Sequence, residues 1–157
     1  MPTSAATAPM HQDLTLSLRQ SLDAAQGFAR ELRQDFVSTE HLMLGLLATD
    51  GDALRALRSA HAEPQKLQST LMTALPHGDP PPIVTGDLPL SPKAQRVING
   101  AIVTAQVLRQ RQVSTRFLLK ALLEEPNSII RQSLESAGVD IDALLPSLVE
   151  KPSSPES

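Results

Sequence analysis

The sequence predicts an all-α protein made of two tandem four-helix repeats, packed together about a pseudo-two-fold axis. Three observations carry that expectation. Phe36–Leu47 (FVSTEHLMLGLL) reappears as Gln112–Leu123 (QVSTRFLLKALL), an offset of 76 residues that also maps Ala25, Ala29 and Leu32 onto Ala101, Ala105 and Leu108. One repetition at so long a period means two copies of a small domain, because solenoids show more copies at shorter periods. Hydrophobic residues make up 41% of the 157, yet only Phe28, Phe36 and Phe117 are aromatic. An aliphatic core of this kind suits close-packed helices better than strands, which favour aromatic and β-branched residues. Finally, the apolar positions recur at spacings of three and four, the signature of one buried helix face.

The elements follow in order. Residues 1–11 are small, polar and proline-containing, and read as a disordered lead-in. Leu14, Leu18, Leu22, Ala25, Ala29 and Leu32 form one face of a long helix running from Asp13 to near Gln34. Thr39 offers a hydroxyl as N-cap to a short second helix carrying Leu42, Met43, Leu46 and Leu47. Gly51 is placed to end it, Asp52 to start a third helix with Leu54 and Leu57, and Pro64 to open a fourth that Pro76 stops. This makes 12–75 the first repeat. Residues 76–90 hold five prolines and two glycines and read as a stiff, extended linker. The second repeat spans 91–150: Ser91-Pro92 starts its long helix, Thr115 caps the second, Pro126-Asn127 precedes the third, Gly138 ends that, and Asp140 caps the fourth. Residues 151–157 read as a disordered polar tail. Each short second helix is apolar on nearly every side, so each is expected at the buried centre of its unit. With so little aromatic bulk, the two units gain by packing on each other.

Composition argues against several function classes. The net charge of −3 gives no global attraction to nucleic acid or to an anionic membrane. Locally, Lys93, Arg96, Arg109, Arg111, Arg116 and Lys120 outweigh Glu124 and Glu125. Without interleaved aromatics that stretch reads mainly as a solvated face, with a docking patch as the minor option. The absence of cysteine removes disulfides, thiolate catalysis and thiolate metal ligands. No secretory signal or membrane-length apolar run is present, so a cytoplasmic location is expected.

Val37-Ser38-Thr39-Glu40-His41-Leu42-Met43-Leu44-Gly45-Leu46-Leu47 resembles the signature of the Clp amino-terminal repeat domain, the duplicated helical module that precedes the ATPase rings of Clp-type protein-unfolding chaperones. The Ala25/Ala29 helix and Gly138-Val139-Asp140 agree with it, and the resemblance covers about residues 12–150. It implies a docking module that receives adaptors and substrate proteins for an attached Clp ATPase. In one branch of the family an acidic residue after the threonine helps bind phosphorylated arginine. Glu40 occupies that position in the first copy; Arg116, a charge reversal, occupies it in the second. The seven glycines yield no G-x-x-x-x-G-K-[ST] phosphate loop. A free-standing chain would therefore bind without unfolding, and an excised piece would belong to an unfoldase.

The residues themselves leave alternatives open. Glu40 fits a helix first turn through the dipole alone, worth about 0.3–1 kcal/mol, as well as it fits ligand contact. Arg116 is mildly unfavourable at a helix start, and could pair with Glu124 or with the neighbouring unit. His41 has no second histidine at metal-binding spacing and reads as a core or capping residue. Thr39 and Thr115 lack a neighbouring base that would make either a nucleophile. The expectation is a non-catalytic binding module with no cofactor or metal. Its candidate contact residues are Phe36, Val37, Thr39, Glu40, Val113, Thr115 and Arg116, with the groove between units as a further surface. Expected partners are a Clp ATPase, its adaptors or clients, including phosphoarginine-bearing ones through Glu40, and neither nucleic acid nor membrane. The nearest rival is an accessory subunit that docks on a Clp protease and alters access; a small helical enzyme or a nucleic-acid binder comes after it.

Overall fold

Each copy places a long helix first and three shorter ones after it. In a computed structural model, which describes residues 13–76, 78, 86–126 and 128–150, the first copy contains β1 (Asp13–Leu14), α1 (Leu16–Glu31), α2 (Thr39–Leu47), α3 (Asp52–Ser59) and α4 (Pro64–Ala74). The second contains α5 (Pro92–Val107), β2 (Gln112–Val113), α6 (Thr115–Leu123), α7 (Ile129–Ser136) and α8 (Ile141–Ser147). The expected lead-in at 1–11, the tail at 151–157, much of the linker and Asn127 lie outside the described residues.

Local chemistry sets most boundaries. Thr15 and Ser91 cap the two long helices through Leu18 N–H and Ala94 N–H, both at 3.1 Å. Pro64 and Pro92 occupy first-turn positions where a missing N–H costs nothing, and Asp140 caps α8. The short-helix caps differ from expectation by one residue. Ser38 and Ser114, not Thr39 and Thr115, are the N-caps, because these serines hold the extended backbone that a cap requires. That frees both threonine hydroxyls for other bonds. The long helices also end without glycine. Arg33 (φ 59°) and Arg109 (φ 58°) adopt left-handed backbone at equivalent positions, and Gln34 and Gln110 N–H close the same terminal turn onto Ala29 and Ala105 carbonyls.

The core is aliphatic apart from the buried ring of Phe117, with Phe28 packed against its edge. In α2 every residue except Glu40 is buried, and in α6 every residue except Lys120, so the two short helices are the centres of their units. They also pack on each other, joining the two units into one continuous core. Gly45 lets α2 lie directly on α1, since a Cβ there would fall inside contact with the Ser21 carbonyl. Its counterpart Ala121 instead rests its methyl against Gly100 of α5.

The pseudo-two-fold relation is explicit in the strand pairing. The segment before the long helix of each copy pairs in parallel with the segment before the short second helix of the other. Asp13 and Leu14 pair with Gln112 and Val113, and Leu90 pairs with Val37. The flanking bonds are mirrored as well, with Thr15 N–H donating to Val113 C=O (3.1 Å) and Ser91 N–H to Val37 C=O (2.8 Å). This exchange of edges was not expected from the sequence. Each two-residue strand is far too short to signal itself, and forms only because packing brings the edges together.

Candidate functional site

At the start of α2, Ser38 Oγ accepts from His41 N–H, and His41 Nδ1 accepts from Ser38 N–H at 2.9 Å. A histidine thus takes the place of the usual glutamate in a capping box. The ring is buried, which lowers its pKa from the ordinary 6.5; the Glu40 carboxylate opposes this in part. Neutral His41 is the form that can accept the Ser38 bond. Glu40 is half-buried, and Thr39 Oγ1 donates to its carboxylate at 3.1 Å. No ion pair engages it among the described residues. Phe36, 38% exposed, lies just before this helix start.

The equivalent start of α6 is arranged differently. Arg116 is only 7% exposed. Its Nε lies 3.2 Å from Asp52 Oδ2, and another guanidinium nitrogen donates to the carbonyls of Leu148 (2.8 Å) and Glu150 (2.7 Å). The guanidinium lies over the Phe117 ring at 4.3 Å, a cation–π contact. Asp52 Oδ1 also accepts from Thr115 Oγ1 (2.7 Å) and Arg116 N–H (3.0 Å), while Thr115 Oγ1 accepts from Ala53 N–H (3.0 Å). The starts of α3 and α6 therefore cap each other across the two units. A cation that is unfavourable at the start of α6 is neutralised by Asp52 and placed at the end of α8, where the helix dipole favours it.

Among the described residues, this cluster has no mirror in copy one. Copy two has one extra residue before α7, so Ile129 stands where Asp52 stands in copy one. The structure thus buries Val37, Thr39, Val113, Thr115 and Arg116, and leaves Phe36 and Glu40 reachable from solvent. The basic stretch is partly neutralised internally: Arg96 pairs with Glu125, Lys120 with Glu124, and Arg116 with Asp52.

A cavity of about 340 Å³ lies on the pseudo-two-fold axis between α1 and α5. Equivalent residues line its two sides, Leu14 with Leu90, Leu22 with Ile98 and Val37 with Val113. The symmetry breaks at Gln26, whose counterpart is Ile102. Gln26 reads the backbone of Leu88 in both directions. Its Nε2 donates to Leu88 C=O (3.0 Å) and its Oε1 accepts from Leu88 N–H (2.8 Å). Neither residue was singled out from the sequence. Their signals were a polar residue on the inner face of an apolar helix, and an apolar one at the end of a Pro/Gly linker.

A duplicated helical domain with an apolar axial groove between its two long helices is an architecture of the Clp amino-terminal type. The chain belongs to that family: the model of the Clp repeat (R) N-terminal domain matches residues 13–106 and 90–154. Among curated relatives, a ClpA-homologue ATP-binding subunit of an ATP-dependent Clp protease from Cyanidium caldarium is 29% identical over 126 residues, 80% of this chain and 14% of that protein. The chloroplastic chaperone protein ClpC1 of Oryza sativa subsp. japonica is 30% identical over 117 residues, 74% of this chain and 12% of that protein. The chain thus spans a small fraction of the length of these relatives. The fold matches the Hsp104 N-terminal domain of Candida albicans (TM-score 0.73, 20% identity, 88% of this chain and 90% of that one). It also matches the N-domain of ClpV from Vibrio cholerae (TM-score 0.72, 16% identity, 91% and 88% covered). No helix among the described residues is long and apolar enough to cross a membrane.

Proposed function

We propose that this chain is a protein-docking module serving a Clp-type unfoldase or protease, receiving clients or adaptors without chemistry of its own. The observation that carries the reading is the axial cavity, an apolar groove built from both copies and open between α1 and α5. A concave, largely apolar surface where the Gln26 amide binds backbone groups suits an extended segment that offers an aliphatic side chain and its backbone groups. Glu40 supplies a second, smaller surface, where a carboxylate at an exposed helix start can take a guanidinium while the helix N–H groups favour an attached phosphate. Phosphoarginine is the ligand that combines both charges.

Binding of a fluorescent, leucine-bearing peptide, followed by anisotropy, tests the groove. Ile98→Asp places a charge on the groove wall and is expected to abolish binding, while a Lys66→Ala control on an exposed ion pair leaves it unchanged. Equal binding by Ile98→Asp and the parent protein would overturn the reading.

A further inference from the structure

The groove already contains part of its own chain. Leu88, only 4% exposed, is buried among the groove-wall residues, with both of its backbone groups held by Gln26. Upstream, the Arg30 guanidinium donates to the Gly86 carbonyl; downstream, Leu90 is fixed by its bridge to Val37. Residues 87–90 therefore present to the groove what a bound client would present, namely accessible backbone groups and the aliphatic side chains of Leu88 and Leu90. The two hydrogen bonds of Gln26 do not depend on the identity of residue 88, because they address the N–H and C=O that every non-proline residue offers.

We propose that Gly86–Leu88 is a resident pseudo-ligand of the axial groove, and that an incoming segment with an aliphatic side chain displaces it and takes over the Gln26 amide pair. This rests on the docking function assigned to the groove above. The walls explain why displacement is feasible. On the α1 side the amide of Gln26 holds the strap, while on the α5 side Ile102 can bond no backbone, and the cavity beside the strap stays open. The strap is held by one side chain and a few polar contacts, so a longer segment that fills the cavity as well outcompetes it. While closed, the strap lowers apparent affinity by the fraction of molecules that are open.

Gly86 gives a test that leaves every wall atom in place. Its φ is +80°, a left-handed conformation that disfavours a side chain, and a Cβ added there meets nothing within 4 Å. Gly86→Ala therefore strains the closed strap through its backbone alone and is expected to raise affinity for the leucine-bearing peptide about fivefold. Leu88→Ala removes the inserted side chain and is expected to raise it about tenfold. Exchange of the Leu88 backbone amide, measured by NMR, is expected to accelerate in Gly86→Ala. Adding Gln26→Leu to Gly86→Ala is expected to weaken peptide binding again, since the peptide uses the same amide. If the parent protein and both variants bind equally, or the variants bind more weakly, the strap is no competitor and the proposal falls while the docking reading stands. If no variant binds the peptide, the docking reading fails and takes this proposal with it.

Discussion

The starts of α2 and α6 are the same stretch of sequence twice, yet one faces solvent and the other faces the protein. In copy one, Ser38 and His41 close a local capping box and leave Glu40 reachable. In copy two, Phe117 replaces the histidine, Arg116 replaces the glutamate, and Asp52 of the other unit supplies the capping acceptor. Ser114 Oγ, at the N-cap position, is buried without a hydrogen-bond partner, which such a hydroxyl tolerates at a cost of about 1–3 kcal/mol. Duplication thus let one copy keep an open helix start while the other turned the same position into an inter-unit joint.

The comparison breaks most severely at Arg116. Arg116→Ala leaves Asp52 without its charge partner and the Leu148 and Glu150 carbonyls without their donor. It is expected to cost about 3–5 kcal/mol in denaturant unfolding, whereas Glu40→Ala costs no more than about 1 kcal/mol. Comparable losses at the two positions would mean that the copies are not used differently. The interhelical contacts make the next test. Gly45→Ala drives a methyl into the α1 backbone and is expected to cost about 1–3 kcal/mol. The reciprocal Ala121→Gly loses only helix propensity and a methyl contact, about 1 kcal/mol.

His41 sharpens the comparison through pH. Its folded pKa lies below 6.5, so below 6.5 the unfolded chain binds more protons than the folded one. The stabilisation is complete above 6.5 and lost as pH falls through the folded value. His41→Gln keeps an acceptor for Ser38 N–H but cannot titrate. Thermal melts should show a shallower acid slope in this variant and a change within about 1 kcal/mol at neutral pH. An unchanged slope would place the acid sensitivity elsewhere.

The repeat, the aliphatic periodicity and the Ser-Pro start of α5 made the helices and their pairing legible in the sequence, because they are local or are stated twice. What was not legible depends on contacts between copies. Thr39 and Thr115 looked like caps because threonine favours that role, but the neighbouring serines took the required backbone and freed Thr115 for Ala53 and Asp52. Arg116 could be flagged as misplaced at a helix start, yet its partner lies 64 residues away. Gln26 and Leu88 are 62 residues apart, and only the fold brings the amide of one to the backbone of the other. The left-handed ends at Arg33 and Arg109 carried no glycine to announce them.

The most direct test of the difference between the copies is a count of sites. Titrating the protein with a phosphoarginine-bearing peptide in a calorimeter should give a single site, lost in Glu40→Ala, because Arg116 already fills the second position from within. Two sites, or one that survives Glu40→Ala, would contradict the account.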